Sequence, residues 1–581
     1  MLAVHARIEY IFIISTMKKN YFVFFAISAL LCSYQLTAQV SADPCDEFYS
    51  VAAGWYVRGV LDELPPVKPY PLPVIKHILE TTIEKGSAGD SAMAKKYYER
   101  IFNKPWNAAV ELNEKNVSSK NEKTDEYADN IQLKGTLRGY GDFMFGDIFS
   151  IGYSSGMSTT AFDLYADDFT DKWSPVRYDT LGEGIHTGSV DIDFNADCLA
   201  SYSTEKITLA VGYSRIGFGP FIDGGNVLNQ NAYNSPQVLF VFNGRYIDFT
   251  QYFAALETSD FNGKNKKYGK FLTFHAVRIP FGKRWRISYY DAVVYSNRFD
   301  PSYFILVPNI MISLANGYND NLLSGFLFEY NFCRGLSWNT DLTIDHIDYT
   351  QLMKIKLTGD HRFALKSGLT YSPIDSLCEM MSLDFTFVTP YTYSYGTINS
   401  VDGSYTSSFT NDGTSMGVLL PSDTDQISLR IQLNPMRNLK VTTLFSIAHH
   451  ANEYESLSTE NAEKVFNANY TSVQNGGDPV YATDGGIYAV YGDTTKFMSE
   501  ANIMTICRGG VKISYEFPHV STGSLYLNSE FSYTYIHNAG VDMPMYSGKD
   551  AATYTESYTN WKNQLHDEYN AYLKFSVLYT Y

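Results

Sequence analysis

The sequence predicts an all-β transmembrane antiparallel β-barrel of about 18 strands, within a range of roughly 16–20, behind a small N-terminal α-helical domain. Three observations carry that prediction. In the segment Glu568–Tyr581, Leu573, Phe575, Val577, Tyr579 and Tyr581 share one face of an extended chain, with Lys574, Ser576 and Thr580 on the other and Leu578 the one exception. The same period of two recurs from Ile131 onward, in segments of about the 9–11 residues that a tilted membrane strand requires. Short and long connections between those segments take turns along the chain.

Composition agrees. The chain has 581 residues, 47 Tyr, 37 Phe and 15% aromatic residues, yet its mean hydropathy is only −0.20. A helical membrane protein is far more apolar, whereas a barrel turns every second strand residue to a polar lumen. The net charge of −17 argues against nucleic acid as a partner. The six cysteines (Cys32, Cys45, Cys198, Cys333, Cys378 and Cys507) show no CxxC and no metal-ligand spacing, so no disulfide framework, metal or cofactor is expected.

The N-terminus reads as an address. Residues 1–38 comprise upstream residues and a signal peptide: the basic start Met17-Lys18-Lys19-Asn20, the apolar run Tyr21 to Leu31, and the small-residue site Leu36-Thr37-Ala38 before Gln39. The apolar run is shorter than the ~20 residues of a spanning helix.

Residues 39–128 read as a helical periplasmic domain and linker. Phe48, Val51, Ala52 and Trp55 recur at helical spacing, and Pro65, Pro66, Pro69, Pro71 and Pro73 make a stiff connector. Helix resumes at Val74-Ile75 with Ile78-Leu79 one turn on, and Asp90-Ser91 could cap a further helix bearing Met93, Tyr97 and Ile101. Residues 113–130 are polar and charged, a linker by composition, and the domain is expected to sit beneath the barrel mouth.

The barrel is assigned to 129–581. Ile207, Leu209, Val211 and Tyr213 alternate with Thr208, Gly212 and Ser214; Phe326, Phe328, Tyr330 and Phe332 alternate with Leu327, Glu329 and Asn331. Met381, Leu383, Phe385 and Phe387, then Ile427, Leu429, Ile431 and Leu433, and then Leu525, Leu527, Phe531 and Tyr533 repeat the pattern. Tight turns fall at Phe281-Gly282-Lys283, Cys333-Arg334-Gly335, 434–438 and 518–523, with long stretches at 293–321, 390–425, 449–501 and 536–566. Only a closed sheet pairs every backbone group in lipid, so aliphatic and aromatic side chains should face outward and Asp, Asn, Arg, Gln and Glu inward. The Ser-, Thr- and Tyr-rich loop 394–417 suits an exposed surface.

Chemical motifs are weak. Gly217-Phe218-Gly219-Pro220 completes no phosphate-binding GxGxxG. Asp341, Asp345 and Asp348 with His346 do not share one strand face, and His275, His449 and His450 show no nucleophile relay, so a non-catalytic protein is expected. Arg215, Arg278, Arg284, Arg286 and Arg430 could meet acidic sugars through planar guanidinium–carboxylate pairing, or form lumen salt bridges.

The region 207–350 resembles the Wzi capsule-assembly family. The resemblance lies in Gly212-Tyr213-Ser214-Arg215, Gly217-Phe218-Gly219-Pro220, the run Asn226-Val227-Leu228-Asn229-Gln230-Asn231-Ala232, Pro236, the strand 271–280, the stretch 303–308, Asp320 to Gly325 and Ile344-Asp345. The aromatic C-terminal strand is similar to the closing strand of outer-membrane barrels, which the barrel assembly machinery reads. The resemblance implies an outer-membrane, lectin-type protein that holds capsular or other surface polysaccharide; a channel for small solutes is the alternative. Candidate ligand-binding residues of the lumen and mouth are Arg215, Asn231, Arg278, Arg286, Asp291, Asp341 and Asp345. Expected partners are that polysaccharide, outer-membrane lipid and the assembly machinery.

Overall fold

The computed structural model describes residues 40–581 except 105, 122–125, 162–184, 188–189, 259–266, 297, 318–319, 347–360, 375, 391, 394–407, 412–413, 437, 452–496, 499–502, 521–522, 540–555, 557–558 and 561. The expected signal peptide, Asp348, and most of the loops 449–501 and 536–566 lie outside the described residues.

Eighteen antiparallel strands close on themselves, each bonded to its sequence neighbours. They are β1 Trp106–Asn121, β2 Glu126–Phe145, β3 Phe149–Ala161, β4 Val190–Ser203, β5 Ile207–Ser214 and β6 Ser235–Asn243. Next come β7 Asp248–Thr258, β8 Lys267–Phe281, β9 Trp285–Ser296, β10 Asn321–Cys333, β11 Leu336–His346 and β12 Arg362–Tyr371. The last are β13 Cys378–Val388, β14 Thr424–Met436, β15 Leu439–Ala451, β16 Ile503–Val520, β17 Gly523–Ala539 and β18 His566–Thr580. A short strand, Ile185–Thr187, adds to the sheet beside β4. The seam joins β18 to β1, from Ala109↔Thr580 to Asn121↔Glu568, and Tyr581 packs beside Ala108, Ala109 and Tyr140 next to it.

The seam corrects one expectation. Residues 113–130 are not a linker; they belong to β1 and β2, and the wall begins at Trp106 rather than 129. The inner half of β1 does alternate, with Trp106 and Leu112 exposed on the outer face and Asn107 and Asn113 buried on the other. A strand of this length rises far beyond an apolar band ~25 Å tall, so its distal half has no lipid to face and reads as polar on both sides.

Elsewhere the faces fall as alternation requires. Leu209, Val211, Phe326, Leu383, Ile427, Phe531 and Phe575 are exposed on the outer surface. Short turns at one mouth, such as Gly282 and Gly335 in the left-handed region, oppose long loops at the other. Among the described residues no helix is long and apolar enough to cross a membrane.

Among the described residues, three helices precede the wall: α1 Glu47–Val57, α2 Leu72–Lys85 and α3 Ala88–Phe102. Asp46 caps α1 by accepting the Phe48 amide at 2.8 Å, and Pro73 starts the first turn of α2 without losing a bond. Helix α3 begins earlier than Asp90-Ser91 suggested, because Ser87 and Asp90 form a reciprocal capping box. Phe48 centres the helical core, edge-on to Tyr49, Trp55 and Tyr97 at 5.5, 6.4 and 5.7 Å.

The helices do not hang beneath the mouth; they enter it at the short-turn end. Arg58 donates to Asp90 and to Ser372 Oγ, both at 2.6 Å. Arg278 donates to Asp248 and to the Leu64 carbonyl, both at 2.8 Å. Arg286 bonds Tyr56 and, at 2.6 Å, the Asp62 carbonyl. Deeper in, Val67–Lys68 pairs as a two-stranded sheet with Gly217–Phe218, and the Gly219 amide donates to the Pro66 carbonyl at 2.8 Å.

Residues 215–234, between β5 and β6, fold into the lumen rather than away from it. Val227, Leu228 and Phe218 meet lumen-facing Leu239, Tyr252, Phe274, Tyr290 and Leu327 in a dry core. The described part of the 394–417 loop also turns inward: Phe409 and Met416 join that core with Tyr393 and Val418. The lumen behind β4–β13 therefore holds an apolar core, which strand alternation alone does not forecast.

Candidate functional site

The remaining lumen is a chamber of about 710 Å³ between the helices, residues 220–231 and the wall of β14–β18 and β1. Seven cationic side chains and five acidic ones line it, so its interior opposes the −17 of the whole chain. Ser, Thr, Asn and Gln supply most of the rest, with Tyr140 and Tyr526 as aromatic faces.

Strand register explains the arrangement. Gln432 faces Thr442, Thr442 faces Lys512, Lys512 faces Glu530, Glu530 faces Lys574, and Lys574 faces Lys115. These side chains form one row across six strands spaced ~4.8 Å apart. A second row runs Lys440, Ser514, Asn528, Ser576, Asn113, where Ser514 donates to Asn528 at 2.6 Å and Asn528 to Ser576 at 3.1 Å.

The plug supplies the opposite face. Arg100 holds Asp46 through two bonds of 2.9 and 3.2 Å, while burial still leaves that carboxyl above its usual pKa. Arg430 pairs with Asp223, and Lys440 with Glu47. Burial pushes the Lys68 amine down to about 8, with Lys366 adding repulsion against the attraction of Cys45 and Asp223. Such a surface suits a hydroxyl-rich ligand with negative charge: ammonium and guanidinium groups meet carboxylates, and amides and hydroxyls meet hydroxyls.

Of the residues singled out from sequence, Asn231 and Arg430 line this chamber. Arg278 and Arg286 hold the helical plug as described above, and Arg215 is buried, donating from Nε to Asn234 at 2.9 Å. Asp341 accepts from Tyr290 Oη at 2.5 Å and from the Asn226 amide at 3.0 Å, which fastens the inward loop. Asp345 accepts the Tyr393 amide at 2.7 Å. Asp291 is a correction: Tyr290 and Ala292 point into the lumen core, so alternation turns Asp291 outward, where Asn309 donates to it at 3.0 Å. The Asn226 to Ala232 motif proves to be the inward loop itself, with Asn226 also donating to the Asp341 and Ala364 carbonyls.

The sequence reading passed over Arg508, Lys512, Glu530 and Lys574 as site residues. Their signal was charge at inward positions of otherwise apolar-alternating strands, which pointed to the lumen but not to the part left unfilled.

Among solved structures, Wzi of Escherichia coli, described as an outer-membrane, carbohydrate-binding β-barrel involved in Group 1 capsule assembly, matches 93% of this chain and 99% of its own. The TM-score is 0.54 at 12% identity. The fold is that of Wzi. The likeness in fold thus covers nearly the whole chain rather than residues 207–350 alone. Weaker likenesses are OccAB3 of Acinetobacter baumannii (TM-score 0.38, 13% identity, 81% of this chain and 99% of that one) and OpdQ of Pseudomonas aeruginosa (0.39, 10%, 82% and 99%). No protein-family model and no curated protein matches the sequence.

Proposed function

We propose that this barrel holds an extracellular, acidic polysaccharide at the outer membrane without chemically altering it, with the helical domain on the periplasmic side. The observation that carries this is the filled lumen. An 18-strand barrel with an empty interior is wide enough for an aqueous channel, but here a pinned helical plug and a dry core occupy it. What remains is a polar, cation-rich chamber, the chemistry a charged sugar needs. The carbohydrate binding of Wzi supports the same reading.

A deletion strain tests it. Loss of the gene should release polysaccharide into the medium while total polysaccharide stays constant; unchanged retention at the cell surface refutes the proposal. The channel alternative predicts steady conductance of the purified protein in planar bilayers, whereas the plugged reading expects none.

A further inference from the structure

The loop between β9 and β10 behaves unlike its neighbours. It folds over the outside of the wall, where strand alternation turns Thr273, His275, Asp291, Val293 and Tyr295 toward the membrane, and all five are buried beneath it. Asn309, at the start of helix α4 (Asn309–Asn316), donates to Asp291 at 3.0 Å. Ile312 packs with Val293, Tyr295 and Tyr303. Phe299 and Phe304 lie 6.0 and 4.9 Å from the outward ring of Phe253, and Phe299 lies 5.9 Å from Phe271.

The free side of this flap is apolar. Ile305, Leu306, Met311 and Leu314 are 57, 64, 60 and 75% exposed, and no charged residue occurs from Pro301 to Gly317. In water, such a patch on an external loop is an aggregation liability. Its height removes the difficulty. Asp291 follows Trp285, which stacks with Tyr330 in the aromatic cluster at the short-turn end. At about 2.5 Å per tilted-strand residue, Asp291 lies ~15 Å up the axis, inside an apolar band ~25 Å tall.

We propose that the 298–317 flap is a lipid-embedded cover: it shields the polar cluster of Thr273, His275 and Asp291 and presents Ile305, Leu306, Met311 and Leu314 to the acyl chains of the outer leaflet. Its surface is continuous with the outward ring pair Phe253 and Phe271, stacked at 5.7 Å, which argues for lipid rather than a protein partner. The proposal rests on the barrel spanning a membrane, so its test must separate the two.

Leu306→Trp and Leu314→Trp variants, reconstituted in vesicles with brominated acyl chains, provide that test. Difference spectra against the parent isolate the added indole. The expected result is that the added emission is largely lost in brominated relative to unbrominated lipid and is little affected by aqueous iodide. If iodide quenches it and bromine does not, the flap lies in water and the proposal falls, while quenching of the parent's own wall tryptophans by bromine would still uphold the membrane-spanning barrel. Shielding from both quenchers identifies a protein cover and also overturns the proposal. Retained heat-modifiable migration in electrophoresis confirms that each variant is folded.

Discussion

Replacing Arg58 with methionine should loosen the plug without dismantling the wall. The guanidinium sits at the end of α1, pairs with buried Asp90 of α3 at 2.6 Å, and donates to Ser372 in the turn between β12 and β13. Methionine fills similar volume but leaves the Asp90 carboxylate buried without its cation, and removing one member of a buried pair costs about 3–5 kcal/mol. At about 1.4 kcal/mol per factor of ten, the docked state should lose roughly two to three and a half powers of ten relative to the released one. Hydrogen exchange across residues 47–102, measured by mass spectrometry in nanodiscs, reads this directly. Exchange there should accelerate by about that factor while strands such as β8 and β9 stay protected, and planar bilayers should show brief openings. Arg58→Met combined with Asp90→Asn should recover much of the loss, because the stranded charge is gone. Helix exchange within about tenfold of the parent, with bilayers still silent, would show that the pair does not hold the plug.

Three further outcomes follow from the same geometry. Lys512→Ala with Lys574→Ala should weaken binding of an acidic polysaccharide at least tenfold, since a hydrogen bond to a charged group contributes about 1.5–3 kcal/mol; affinity electrophoresis in polysaccharide-containing gels checks it, and unchanged mobility would separate the chamber from binding. Phe218→Ala removes a ring packed edge-on to Phe274 and Tyr290 at 5.0 and 5.5 Å, and should lower stability by about 3–5 kcal/mol in urea titrations of folded barrel. Lys68 has a folded-state pKa of about 8 against 10.5 for an open chain. The folded protein therefore gives up this proton first, so the site's contribution to stability rises from about pH 8 and levels off near pH 10.5. Protease resistance of the plug followed against pH should show that rise in the parent and lose it in Lys68→Met.

Strand number, face alternation and the order of short and long connections were legible because each is a local pattern: Phe326 to Phe332 needs no knowledge of what it pairs with. Residues 113–130 were misjudged because strand β1 leaves the lipid band midway, and without lipid there is no apolar face to reveal a strand. Leu327 and Tyr290 could not be assigned to a dry lumen from their own strands, since their burial depends on Phe218 and Val227 arriving from another segment. For the same reason Asp341 looked like a ligand group: only the folded chain shows the Asn226 amide that it accepts. Asp291 was placed on the wrong side because one residue of offset reverses the face of a strand.

The seam between β1 and β18 sits within the wet part of the wall, where Lys115 and Lys574 face each other. Among the described residues, only a small cluster of Ala108, Ala109, Tyr140, Leu578 and Tyr581 packs across these two strands, so the ring is fastened there mainly by its ladder of backbone bonds. A sugar chain lying along that row would touch both lips at once. Occupied barrels should then resist opening on heating better than empty ones, which makes the melting behaviour of the purified protein a gauge of what it carries.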